Sequence, residues 1–236
     1  MTSVATQFPM VAFEGLDGAG KSTQIQALTD ALVRQGIDVH LFRLNSNPFF
    51  KKLCRGLNEH DLIDGTRASL MKASELSGRL EGQIKGQVDR GAVILWDKYI
   101  ASSLAFDAAR GVAHRDLIVI YSGLPAPKIT VYLEIAPEEA LRRKRMAGGP
   151  RLMESGLDLY LNVSVREAFS MMERGAVSAQ TMDEAFLAFQ HHVAKAYEDF
   201  LPSGKTVRFN GLEPADRLSA SIFKAVLPAL AATDKE

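Results

Sequence analysis

Very little in this chain is one-sided. Lysine plus arginine number 28 and aspartate plus glutamate number 28, so the formal net charge at pH 7 is zero. That balance excludes a global basic field of the kind that grips nucleic acid by its backbone, and any polyanion must be met by local clusters. Cysteine is nearly missing. Cys54 stands alone, which rules out an intrachain disulfide, leaves no C-x-x-C pair for a metal, and suits a reducing, cytoplasmic setting. Cys54 itself reads as a small buried apolar residue and not as a nucleophile. No apolar run approaches the roughly 20 residues needed to span a bilayer, so no membrane partner is expected. Residues 1–9 lack the basic start and apolar core of a signal peptide and read as a loose tail. Internal repeats and low-complexity segments are absent. The 236 residues suffice for a single α/β domain spanning 1–236 and are too few for two of ordinary size.

What is present is concentrated near the start, in Val11-Ala12-Phe13-Glu14-Gly15-Leu16-Asp17-Gly18-Ala19-Gly20-Lys21-Ser22-Thr23. Gly15 to Ser22 fits G-x-x-x-x-G-K-[ST], the P-loop. Gly15, Gly18 and Gly20 let the backbone turn so that its N–H groups, with those of Ala19 and Thr23, face phosphate oxygens, and the following helix presents its positive end to the same anion. Lys21 reaches the β and γ phosphates and Ser22 offers a hydroxyl to Mg²⁺. A glycine-rich turn with a purely structural role would leave the Lys-Ser pair unexplained. The context is also right, because Met10 to Glu14 reads as a buried strand and Lys21 to Gln35 as a helix.

Further strands are expected over Asp38 to Arg43, Gly91 to Asp97, Ile129 to Ile135 and Thr206 to Phe209. Between them the patterning predicts helices over Phe49 to Leu57, Thr66 to Arg90, Ser102 to Arg110, Arg115 to Tyr121, Pro137 through Arg145, Leu157 to Arg174, Asp183 to Phe200 and Asp216 to Leu230. Strands alternating with helices predict a five-stranded parallel sheet with helices on both faces, and ligands bind such sheets at the strands' carboxyl ends. Glu14, Arg43 and Asp97 all fall at strand ends.

A P-loop by itself does not separate kinases from GTPases or motor ATPases. The N-K-x-D stretch by which a GTPase reads its base is missing from this chain. A second set of cations is present instead, at Arg43, Arg79, Lys98 and from Arg142 to Arg151 beside Gly148-Gly149. Any one of them taken alone is ordinary solvated surface. Together, behind strand ends, they suit phosphoryl transfer between two phosphorylated molecules, whose mutual repulsion must be neutralised.

The residues then carry a family resemblance. Phe13 to Thr23 is similar to the F-E-G-x-D-G-A-G-K-S-T loop of thymidylate kinases, and Asp97-Lys98-Tyr99 with Ser102 to Phe106 resembles their D-R-Y segment and its trailing S-x-x-A-Y. Val131 to Ile135 followed by Pro137 to Arg143 resembles Y-L-D-V-x-P-E-x-A-L-x-R, and the segment from Leu152 to Phe169 resembles the stretch after the lid. The resemblance implies a P-loop kinase fold, ATP and Mg²⁺ as co-substrate and cofactor, transfer of the γ-phosphoryl group to a deoxynucleoside monophosphate with dTMP as the best single choice, and a homodimer.

It also implies residue roles. Lys21 and the loop hold the donor phosphates, Ser22 and Asp97 serve the metal, and Asp17 faces the acceptor. Arg43 and Lys98 grip the acceptor phosphate, Arg79 meets the base, and Glu14, Ser103 and Phe106 lie on the acceptor side. The catalytic arginine comes from the lid at about 142–156, with Arg143, Arg145 and Arg151 as candidates and Arg145 preferred over Arg151. Departures from the family pattern are plain. Lys98 stands for the arginine of D-R-Y, only Arg43 survives of R-E-P-G-G-T, and Glu75 stands where a stacking Phe is expected. Either Glu75 enters the pocket and an amino-bearing base is preferred, or the helix is shifted and Met71 or Leu76 lines the base. A helix near 181–200 is additional to the pattern. Two alternatives stay open, a nucleoside kinase using Glu14 as base towards a hydroxyl, and a nucleotide-binding regulator without catalysis.

Overall fold

The computed structural model describes residues 9–60, 62 and 64–231. The expected tail at residues 1–9 lies outside the described residues but for Pro9. Five strands form one sheet in the order β2-β3-β1-β4-β5, with β1 at Met10–Glu14, β2 at Val39–Arg43, β3 at Val93–Asp97, β4 at Ile129–Glu134 and β5 at Thr206–Asn210. Every pairing is parallel, as in Phe13 opposite Asp97 and Val131. The strand sequences explain their order. The apolar runs MVAFE and VILWD are buried at every position and occupy the middle, whereas VHLFR and TVRFN alternate and take the edges. All five sequence-read strands are found.

Around the sheet run α1 (Lys21–Arg34), α2 (Pro48–Glu59), α3 (Gly65–Arg79), α4 (Lys85–Val88), α5 (Ile100–Ala109), α6 (His114–Tyr121), α7 (Pro137–Met146), α8 (Leu152–Ser155), α9 (Leu157–Leu161), α10 (Val165–Glu173), α11 (Ala179–Phe200) and α12 (Ala215–Ala231). The main core joins the sheet to α1, α3, α5, α11 and α12, with Trp96, Tyr99, Tyr197 and Phe13 among its largest buried side chains. A smaller core under the lid gathers Leu152, Leu157, Ala168 and Ala185.

Two predicted helices are broken. The expected run from Thr66 to Arg90 is divided by a π-helical turn at Leu80–Ile84. Glycines at 78, 82 and 86 weaken regular winding there, and the wider turn lets both Leu80 and Ile84 reach the core. The expected helix from Leu157 to Arg174 is cut at Asn162, whose φ of 54° is left-handed, and Ser164 caps the next helix by accepting from the Glu167 N–H at 3.1 Å. The helix near 181–200 starts earlier, at Ala179, where Ser178 accepts from the Thr181 N–H.

Candidate active site

The site is built at the carboxyl end of the central strand. Gly15, Gly18 and Gly20 have φ of 132°, 92° and 93°, so the chain leaves β1 through a backbone that side-chain-bearing residues rarely adopt. Space is short as well. A Cβ at Gly15 would lie 2.4 Å from the Leu133 carbonyl oxygen of the neighbouring strand. Lys21 opens α1 and folds back over the loop, its Nζ donating to the carbonyls of Gly15 at 2.9 Å and Leu16 at 2.7 Å. Burial pushes the Lys21 ammonium down from 10.5 to about 8, and the nearby Lys98 charge acts in the same direction.

Beside the loop, β3 delivers Asp97. Its Oδ2 accepts from Arg43 Nε at 2.9 Å, and Ser22 Oγ lies 3.4 Å from the same oxygen. A serine hydroxyl next to a carboxylate is a hard oxygen set, and among the described residues no cluster of three or more His, Cys, Asp or Glu is present. Such a sparse set fits Mg²⁺, which takes most of its ligands from water and substrate phosphates. Lys98 follows with a left-handed φ of 65°, uncommon outside glycine, and this turn aims its Nζ at Asp17 Oδ1, 2.8 Å away. Burial would raise the Asp17 carboxyl, yet the Lys98 and Lys21 charges hold it well below the usual carboxylate range. Burial would lower Lys98 in turn, and Asp17 reverses this and raises it. The pair is therefore ionised.

The lid descends from α7. Arg143 does not enter the cleft freely, because Glu139 accepts from its Nε at 2.6 Å while its other nitrogens donate to the carbonyls of Gly18 at 3.0 Å and Gly211 at 2.9 Å. It braces the P-loop. Lys144 pairs with Glu154 Oε2 at 2.7 Å, and both line the cleft with Arg151. Arg145 turns outward to Asp183 of α11, its Nε donating at 2.9 Å.

The sequence pattern that describes thymidylate kinase matches residues 13–163. The chain belongs to the thymidylate kinase family. Among its relatives, the probable thymidylate kinase of Pyrococcus abyssi is 30% identical over 195 residues, covering 77% of this chain and 95% of its own length. The thymidylate kinase of Caldanaerobacter subterraneus subsp. tengcongensis is 30% identical over 206 residues, 83% of this chain and 97% of its own. That of Pelodictyon phaeoclathratiforme is 29% identical over 214 residues, 87% and 89% respectively.

In this thymidylate kinase family member one cleft collects Gly15, Asp17, Gly18, Gly20, Lys21, Ser22, Thr23, Arg43, Asp97, Lys98, Ser103, Phe106 and Arg151 from the expected residues. Ala19 is buried beneath it. Glu14 corrects an expectation. It is 1% exposed and outside the cleft, with Tyr99 N–H donating to its Oε1 at 3.1 Å and Ser102 Oγ bonded to Oε2. Burial raises its carboxyl, and both of its oxygens are already engaged, by Tyr99 and by Ser102. Glu75 and Arg79 also lie outside the cleft, in a buried ion pair with each other. Arg79 additionally donates to the Arg43 carbonyl at 2.9 Å and lies over the Trp96 ring. Neither Met71 nor Leu76 takes their place, since Lys72 is the α3 side chain that lines the cleft.

Sequence reasoning missed Lys72, Lys144, Gln190 and Tyr197. Lys144 was within reach, inside the basic run of α7. Tyr197 carried no local sign, because its hydroxyl meets Gly15 N–H at 3.3 Å and Ser102 Oγ at 2.8 Å across the whole domain.

Proposed function

We propose that this protein phosphorylates dTMP to dTDP at the expense of ATP, as a single kinase domain. The observation that carries the reading is one cleft with two cationic halves, Lys21 in the P-loop and Arg43 with Lys98 across from it, inside a thymidylate kinase sequence. Lys21, the loop amides and the start of α1 hold the β and γ phosphates of the donor. Arg43, fixed by Asp97, and Lys98, fixed by Asp17, hold the acceptor phosphate in line. An acceptor phosphate oxygen forms its bond to the γ-phosphorus as the bond to the ADP oxygen breaks. The attacking oxygen is already anionic, so no general base is needed, which agrees with the sealed position of Glu14. A nucleoside hydroxyl would require one. Ser22 and Asp97 would hold Mg²⁺, which neutralises charge between the donor phosphates. Arg151 and Lys144 add charge from the lid as negative charge spreads over the transferred group.

A cytoplasmic homodimer belongs to the same reading. Leu70, Ile118 and Val119 stand exposed on the packed pair α3 and α6, and they give a second copy an apolar surface. The test is a panel of deoxynucleoside monophosphates and unphosphorylated nucleosides with ATP and Mg²⁺, read by acceptor-dependent ADP formation. Turnover with dTMP and none with thymidine is expected. Equal turnover with thymidine, or none with any monophosphate, refutes the reading.

A further inference from the structure

Behind the phosphate-binding residues, the cleft continues to a wall that the charge argument above leaves unused. Lys72 projects there from α3 with its ammonium held by Asp107, which is 1% exposed and also meets Ser69 Oγ at 2.7 Å and Tyr121 Oη at 3.3 Å. The same ammonium lies 5.4 Å from the centre of the Phe106 ring. Phe106 packs edge-on against Phe189 of α11 at 5.2 Å, and the next residue of that helix, Gln190, also lines the cleft. Gln190 is 4% exposed, and its amide is fixed because Nε2 donates to the Glu154 carbonyl at 2.8 Å. Fixing the nitrogen in this way assigns the remaining oxygen as an acceptor. The cleft lining therefore includes a charged donor and a neutral acceptor, each fixed by its own partner, besides the Phe106 ring.

We propose that Lys72 and Gln190 determine which base the acceptor carries, Lys72 donating to a ring carbonyl oxygen and Gln190 accepting from the adjacent ring N–H. That donor and acceptor order matches the imide edge of a 2,4-dioxopyrimidine. A 4-aminopyrimidine reverses both groups, placing an amino donor against an ammonium and a bare ring nitrogen against an amide oxygen, so a buried polar group is left unpaired on each side. The inference rests on the proposed monophosphate kinase activity and adds the residues that select the base.

Steady-state kinetics with dTMP, dUMP and dCMP test it on the whole chain. Lys72→Met alone would leave Asp107 buried without its cation, so the double variant Lys72→Met/Asp107→Asn is measured beside it, together with Gln190→Met and the charge-keeping Lys72→Arg. A charged hydrogen bond lost from a closed site corresponds to about ten- to a hundredfold. The expected result is a rise of that size in KM for dTMP and dUMP in the double variant and in Gln190→Met, kcat nearly unchanged, and kcat/KM for dCMP not reduced. Lys72→Arg should recover most of the preference. The inference is overturned if wild type uses dTMP while the dTMP to dCMP ratio stays as in wild type in the double variant and in Gln190→Met. A wild-type protein inactive on all three monophosphates instead refutes the kinase reading itself, and this inference with it.

Discussion

Lys21 offers a measurement of the phosphate site that does not depend on turnover. Its ammonium is pushed down to about 8 by burial, with Lys98 adding repulsion. Nucleotide phosphates restore opposite charge around it and raise it again, so binding must take up protons wherever the free lysine is partly neutral. With a value of about 8, roughly half of the free protein is neutral at Lys21 at pH 8, about a tenth at pH 7 and about nine tenths at pH 9. Uptake on binding Mg-ATP should follow the same numbers, about 0.1, 0.5 and 0.9 protons at pH 7, 8 and 9. Affinity should weaken as pH rises, about twofold at pH 8 and about tenfold at pH 9 relative to the acid limit. Asp17 is held low and Lys98 high, so neither titrates in that window. Isothermal calorimetry in two buffers of different ionisation enthalpy reads the uptake directly, and Lys21→Met should abolish it. Absence of uptake at pH 8 in the wild type, or the same uptake in Lys21→Met, refutes a burial-lowered Lys21 that recovers its charge against the phosphates.

The lid and α3 give further tests. Arg151→Ala should lower kcat by about tenfold or more with little change in ATP affinity, because its contact is made mainly in the transition state, while Arg145→Ala, whose partner is Asp183 at the surface, should leave kcat within about twofold of wild type. The reverse order in kcat would show that the lid rearranges around Arg145. Glu75→Ala removes one partner of a buried pair and should cost roughly 3 kcal/mol of stability. In thermal unfolding that corresponds to a Tm roughly 6 to 12 °C lower. KM for dTMP should be unchanged, and a raised KM at native Tm would return Glu75 to the acceptor pocket.

Much of this architecture was written in short-range patterns. The strands and their parallel sheet were legible as apolar runs alternating with helices, continuous where a strand lies in the middle and alternating at the edges, and the P-loop was legible from its own spacing of glycines with Lys21 and Ser22. What escaped was direction. A basic run says nothing about which face of α7 each cation takes, and Arg143, Lys144 and Arg145 went respectively to the P-loop carbonyl of Gly18, the cleft and the surface. Lys72 and Glu75 are three positions apart, and periodicity alone could not say which of them turns to the cleft when a π-helical turn follows. Partners far away in the chain were invisible for the same reason. Glu14 looked free as a base until Ser102 and Tyr99 closed around it.

The hydroxyl of Tyr197 braces Gly15 from 182 positions further along the chain. Synthesis proceeds at about 5 to 20 residues per second, so the nucleotide loop emerges from the ribosome roughly 10 to 35 seconds before its brace. During that interval Gly15 and, once it has emerged, Ser102 are without the tyrosine hydroxyl they share, and the loop's first turn has no fixed neighbour on that side. Binding competence should arrive late and abruptly, with the docking of α11, and the high sequence separation of that contact places this step among the slow ones in refolding.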